Sequence, residues 1–269
     1  MASGKATRRK RAAAAQRPKR PVRRDTRAAD RRLWVLGGVV AALVIAVVIG
    51  AVVATSGGDE SPSTDGATTS AEGTTLADAT EAAALFDGIP QAGVALGAPD
   101  APVTMLEFAD LQCPFCREFA VETLPELVEE HVRAGTLRIE LRGLAFLGPD
   151  SERGLRAAFA ASRQNKLFEY TELLYYNQGG ENDGWLSQDL VEAAGRSLPG
   201  VDVARLVNDM ESGAVSDLIA EHAGDAERRG VNSTPTVLVG PTGGELTHVT
   251  LASPSDVESI EQAIAAADG

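Results

Sequence analysis

Cysteine and histidine are scarce in this 269-residue chain: two cysteines, Cys113 and Cys116, and three histidines, His131, His222 and His248. No histidine lies near the cysteines in sequence, which argues against a metal clip, because a CxxC pair needs further nitrogen or sulfur ligands. His248, in the last expected strand, is the least implausible of the three, and neither a metal nor any other cofactor is expected. A structural staple is also poorly served, since a disulfide closing a two-residue loop removes little unfolded-chain entropy. The basic N-terminal residues lack interleaved aromatics, so they do not resemble a nucleic-acid-binding arm. No cysteine directly follows the long hydrophobic run, which excludes lipid anchoring through a lipobox.

The charge that is present is divided unevenly. Residues 1–32 hold thirteen Lys and Arg against Asp25 and Asp30, a charge of +11; with −13 overall, the remaining residues carry −24. Between arm and body lies "LWVLGGVVAALVIAVVIGAVVA", residues 33–54, 22 residues without a charge. At about 1.5 Å per residue such a helix covers a hydrocarbon core roughly 30 Å thick, which predicts a transmembrane span. A core helix would not be apolar on every face. A cleaved signal peptide, for which Val52 and Ala54 suit the cleavage site, has a shorter apolar stretch of about 7–15 residues. The positive-inside rule then leaves the arm cytoplasmic and residues 55–269 across the membrane. The acidic body argues against nucleic acid as a partner.

Residues 55–84 are rich in Ser, Thr, Gly and acids and read as a flexible linker. Periodicity becomes firm at "APVTMLEF", where apolar residues on both faces predict a central, doubly buried strand. A helix follows "CPFC", with Phe119, Leu124, Leu127, Val128 and Val132 inward, a kink at Pro125 and an end at Gly135. "LRIELRGL" is a second strand. Five helices come next: one with Leu155, Ala158, Phe159 and Ser162 on a stripe, one over "LFEYTELLYYNQ", one starting near Ser187, one capped by Asp202, and one that stops before Gly230. "TPTVLVG" and "ELTHVT" flank the hairpin signal "PTGG", and a last helix is expected to be capped by Ser253 and begun by Pro254.

The stretch "APVTMLEFADLQCPFC", the long helical segment and "GVNSTPTVLVG" together resemble the DsbA-like thiol-disulfide oxidoreductases of the thioredoxin superfamily, in particular the membrane-anchored Gram-positive and actinobacterial type. The resemblance runs from about Gly93 to the C-terminus. It implies an α/β thioredoxin fold split into residues 85–150 and 231–269, with an inserted helical domain over 151–230. It also implies reduced exported polypeptides as substrates and a quinone-linked membrane partner, of the DsbB or vitamin K epoxide reductase-like type.

The chemistry expected of such a site explains its residues. Only a thiolate attacks a disulfide, and a helix N-terminus stabilises one through unpaired N–H groups. Cys113 is therefore expected as the nucleophile and Cys116, one turn further in, as the resolving thiol. Pro114 suits the first helical position because it lacks an N–H that would go unpaired. Glu107 matches the family's buried acid, which exchanges a proton with the inner cysteine. Pro235 matches the family's cis-proline, leaving the Thr234 backbone free to pair with a substrate strand beside Cys113. Asp110 is read as a loop or helix-capping acid. Phe115 replaces the histidine of the best-known DsbA proteins and stands in an apolar substrate groove. A histidine there stabilises the thiolate electrostatically and Phe115 does not, which implies a lower reduction potential. Introduction of disulfides into exported proteins is the expected activity, with a reductase or isomerase of the same fold as the alternative and a membrane-tethered metal chaperone as the more distant one.

Overall fold

The computed structural model describes residues 75–269. The basic arm, the hydrophobic run 33–54 and the linker as far as residue 74 lie outside the described residues; among the described residues, no helix is long and apolar enough to cross a membrane. The linker expected over 55–84 ends sooner than its composition suggests. Helix α1 (Ala79–Leu85) forms within it, favoured by the alanine run. It docks because Phe86 is buried against Phe168, with ring centroids 5.8 Å apart, and because the Leu76 N–H donates to Ser197 Oγ at 2.8 Å.

Six strands form one sheet in the order β1-β2-β4-β3-β5-β6. Strands β1 (Gln91–Ala92) and β2 (Ala95–Leu96) make a small hairpin on one edge. The central strand β3 (Val103–Ala109) is buried along its whole length, as the doubly apolar pattern requires. It pairs in parallel with β4 (Leu137–Gly143) and antiparallel with β5 (Thr236–Pro241), which turns back into β6 (Thr247–Val249). A parallel pair needs a crossover, and residues 114–132 supply it.

That crossover is not one kinked helix. It runs as α2 (Pro114–Glu118), a π-helical turn (Phe119–Thr123), α3 (Leu124–Leu127) and a second π-helical turn (Val128–Val132). The wider turn before Leu124 accommodates Pro125, which has no N–H to donate, without a break in the crossover. Phe119, Leu124, Leu127, Val128 and Val132 all point inward, and Gly135 takes the positive φ (75°) that ends the segment.

Between β4 and β5 stand the five expected helices: α4 (Pro149–Ser162), α5 (Leu167–Tyr176), α6 (Gln188–Ser197), α7 (Val203–Met210) and α8 (Gly213–Arg229). Ser187 and Asp202 cap α6 and α7 by accepting the N–H of Leu190 and Arg205, while Gly230, left-handed at φ 70°, closes α8. The end of helix α8 also covers the sheet: Ala226, and Val231 just beyond the helix, pack with Leu106, Phe108 and Leu238 of β3 and β5. The last helix, α9 (Val257–Asp268), starts later than expected and is capped by Asp256, not Ser253. The Asp256 carboxylate accepts from Ser259 N and from Ala252 N, satisfying two donors that Ser253 cannot reach together.

Helix α4 packs closely on the sheet at Gly143. A Cβ there would strike Leu155 Cδ1 and lie 3.1 Å from Phe159 Cζ, both buried. Gly143→Ala is therefore expected to lower the unfolding free energy by about 1–3 kcal/mol through overpacking, read as a lower urea midpoint with an unchanged slope.

Candidate active site

Strand β3 delivers the chain from the sheet interior to a tight turn, and the turn delivers Cys113 to the N-cap position just before α2. In the turn, the Cys113 N–H donates to the Asp110 carbonyl at 3.0 Å. Cys113 has extended backbone angles (φ −72°, ψ 119°) and caps α2, Pro114 is exposed at the first helical position, and the Arg117 N–H returns to the Cys113 carbonyl at 3.1 Å. The missing N–H of Pro114 thus falls where no helical bond is lost. Cys113 is 6% exposed and Cys116 fully buried, and both are free thiols in this structure.

The loop before β5 brings the distant partner. The Thr234–Pro235 peptide bond is cis, and the Cys113 thiol donates to the Thr234 carbonyl at 3.4 Å. Residues 121 positions apart in sequence thus meet at one sulfur.

The two sulfurs are electrostatically unlike. The Cys113 thiol is lowered to about 6, first by a hydrogen bond from Cys116, then by the Thr234 side chain and the backbone N–H groups of Cys116 and Phe115, all working against burial. Those two amides are the unpaired donors of a helix N-terminus. No histidine takes part; the stabilisation expected from that residue type is supplied by neutral donors. Cys116 is pushed well above its ordinary value, by burial first and then by Cys113.

Glu107 lies on β3, flanked by Leu141 of β4 and Val237 of β5. Strand alternation puts it on the face of Val103, Met105 and Ala109, which share a core with both cysteines. It is 3% exposed, and burial raises its carboxyl to about 8. A second buried acid was not singled out in sequence: Glu172 of α5, raised to about 8 by burial, lowered by the Tyr176 hydroxyl and raised again by Glu107. Its signal was an acid inside the otherwise apolar turn "ELLYY". Tyr175 beside it donates to the Asp110 carbonyl at 3.4 Å. Burial holds its phenol protonated, reinforced by Cys116, Glu107, Asp110 and Cys113.

Asp110 caps no helix. It is fully buried, and its carboxylate gathers the residues after β4, with Phe146 N–H at 2.7 Å and Leu147 N–H at 3.0 Å. Phe146, also missed in sequence, is 50% exposed, and Phe115 is 57% exposed; they are the large exposed apolar side chains among the described residues. Both stand at the end of the sheet where the cysteines lie. The histidines meet other groups: His248 Nε2 contacts the Arg229 carbonyl at 2.9 Å, His222 is buried edge-on against Phe159, and His131 meets Glu261. Among the described residues, the group of acid and histidine side chains close enough to share an ion is Glu130, His131 and Glu261, without a cysteine.

A family model described as "Thioredoxin" matches residues 90–265. The chain belongs to the thioredoxin family. Its likeness narrows that membership to the DsbA-like thiol-disulfide oxidoreductases. It is 31% identical over 172 residues to a protein named "Probable disulfide bond formation protein D" of Bacillus cereus, covering 63% of this chain and 76% of the relative. Oxidised BdbD of Bacillus subtilis superposes with a TM-score of 0.57 at 19% identity, over 66% of this chain and 96% of that one, which bears on the fold alone. A thioredoxin-like oxidoreductase of Silicibacter pomeroyi follows at TM-score 0.51 and 27% identity, over 72% and 98%. The protein is a thiol-disulfide oxidoreductase on the thioredoxin fold with a helical insertion.

For this oxidoreductase the thiol asymmetry is directly measurable. In the reduced protein, alkylation of Cys113 by iodoacetamide rises with pH and reaches half its maximal rate near pH 6, because the thiolate forms above that value, while Cys116 stays unmodified. Peptide mass spectrometry of quenched samples separates the two sites; equal labelling, or a midpoint near the free-thiol value of about 8.5, contradicts the asymmetry.

Proposed function

We propose that the protein works outside the cytoplasm and introduces disulfides into exported polypeptides through Cys113 and Cys116. The observation that carries this reading is the lowered Cys113 thiol, held by Cys116, Thr234 and two helix-terminal amides. A stabilised thiolate favours the reduced pair, so the disulfide form passes its oxidation on to substrate. The lowering runs in the direction expected of an oxidant.

The steps balance as follows. A substrate thiolate attacks Cys113 Sγ of the oxidised protein, the Cys113–Cys116 bond breaks, and its electron pair leaves on Cys116. Cys116, whose thiol is strongly favoured by burial, takes a proton, which Glu107 would supply, directly or through water. A second substrate thiolate attacks the substrate sulfur of the mixed disulfide, which releases Cys113 as its stabilised thiolate. The substrate has lost two electrons and the pair has gained them. A quinone-linked membrane partner of the DsbB or vitamin K epoxide reductase-like type would take them onward.

Thr234 is the position where an extended substrate backbone would pair, beside Cys113. Phe115 and Phe146 offer apolar contact for unfolded chains, and Pro114 borders the same surface. The run 33–54 would anchor the protein, with the basic arm on the cytoplasmic side. A reductase or isomerase built on the same pair is the second reading, favoured by the absence of a histidine at Phe115.

Equilibration with glutathione is expected to place the Cys113–Cys116 pair above about −200 mV, whereas a value near thioredoxin's, about −270 mV, would overturn the oxidase reading. Cys116→Ser, lacking the resolving thiol, is expected to accumulate mixed disulfides with reduced substrate polypeptides on non-reducing gels.

Glu107 offers a separate test. Its folded value is raised from 4.5 to about 8, so the unfolded chain releases this proton at lower pH than the folded one, and stability is lost as pH rises between those values. Glu107→Gln removes that loss. It is expected to raise stability at pH 7 by about 1–3 kcal/mol while slowing disulfide exchange several-fold; an exchange rate equal to the parent's rules out the proton role.

A further inference from the structure

The fully buried carboxylate of Asp110 has four donors. Oδ1 accepts the Gln112 N–H at 2.9 Å and the Ser151 hydroxyl at 2.6 Å, and Oδ2 accepts the Phe146 and Leu147 N–H groups at 2.7 and 3.0 Å. Buried Gln112 extends the network: Nε2 donates to Ser151 Oγ at 2.9 Å, Leu147 O at 3.2 Å and Asn182 Oδ1 at 3.4 Å, while Oε1 accepts the Asn182 N–H at 2.7 Å. Every acceptor site of the carboxylate is filled, which compensates its burial. The side chain thereby joins the active-site turn, the segment after β4 and the helical insertion.

The backbone of the same residue meets both cysteines. Its carbonyl accepts the Cys113 N–H at 3.0 Å, and its N–H acts on Cys116 against the burial that raises that thiol. From the insertion, Gln178 Nε2 grips the Leu111 and Cys113 carbonyls at 2.8 and 3.2 Å. A carboxylate anchored on three segments thus controls where the turn places the amides that face the sulfurs.

We propose that Asp110 is a positioning residue for disulfide exchange: its carboxylate locks the turn that carries Cys113 to the segment after β4 and to Ser151, and so sets how strongly the reduced pair is favoured. The inference rests on the reading of Cys113 and Cys116 as the working pair. Asparagine cannot substitute, because its NH₂ group must face two donors on one side or the other. Ser151→Ala is the milder change: it withdraws one donor from the carboxylate and introduces none.

The test measures two quantities on the parent, Asp110→Asn, Ser151→Ala and Leu206→Ala: the Cys113 titration, from thiolate absorbance, and the equilibrium constant with glutathione. Buried Leu206, in α7 and outside this network, supplies a destabilised control. Asp110→Asn is expected to raise the Cys113 midpoint and shift the equilibrium about tenfold toward the disulfide, about 30 mV for a two-electron couple. Ser151→Ala should shift it the same way by more than twofold, while Leu206→Ala lowers the melting temperature and moves neither. If Asp110→Asn and Ser151→Ala lose stability yet keep both quantities within twofold of the parent, Asp110 only supports the fold and the proposal fails. Should Asp110→Asn not fold, Ser151→Ala decides by the same twofold criterion. A parent that neither exchanges with glutathione nor shows a low-titrating thiol would instead sink the reading of the pair, with or without Asp110.

Discussion

A thiolate at Cys113 has to be stabilised in a nearly dry site without a cation. Every group that lowers its pKa is neutral: the Cys116 thiol, the Thr234 side chain, and the amides of Cys116 and Phe115. Neutral donors act only over hydrogen-bond distances, so each must be placed accurately. Much of the architecture near the site serves that placement. The buried strand β3 ends at the turn, α2 aims its first amides at the sulfur, and β5 carries Thr234 in from the other half of the chain.

The carboxyl groups around the pair point to a second requirement, for protons rather than charge. Glu107 and Glu172 are both buried and raised to about 8, the second partly because of the first. Near neutral pH such groups hold protons that an exposed carboxyl would have released, and holding them costs stability as pH rises. A core optimised only for stability would place apolar side chains at these positions. Buried acids with raised values occur more often at functional sites than in cores that only support a fold.

The helical insertion contributes to the site as well as covering it. Tyr175 and Gln178 reach the carbonyls of Asp110, Leu111 and Cys113, Arg117 of α2 donates to the Tyr175 carbonyl at 3.0 Å, and Ser151 and Asn182 complete the Asp110–Gln112 network. Fully satisfied polar networks of this kind rigidify their surroundings. The side chains of Phe115 and Phe146 remain exposed.

Local chemistry made much of this legible beforehand. The run 103–109, apolar on both faces, reads as a doubly buried strand, and it is one. CPFC next to it placed a cysteine at a helix start, and Ser187, Asp202 and Gly230 marked helix ends because capping depends on one or two residues. Where the local signal was divided, the reading slipped: Ala79–Leu85 looked like linker by its polar neighbours, and Ser253 and Asp256 competed for one cap. The run 33–54 reads as a membrane span from apolar length alone, and lies outside the described residues.

Three-dimensional proximity decided the rest. Nothing local distinguishes Asp110 from any loop acid; its four donors come from residues 2 to 41 positions away. Glu172 and Phe146 likewise acquire meaning only from what the fold brings beside them. The sequence by itself determined which residues can do thiol chemistry and on which elements they sit, because propensity, capping and hydrophobic period act over a few residues. Tertiary structure alone decided which thiol ionises first and which acids stay protonated, because desolvation and hydrogen bonding depend on neighbours that the chain order does not reveal.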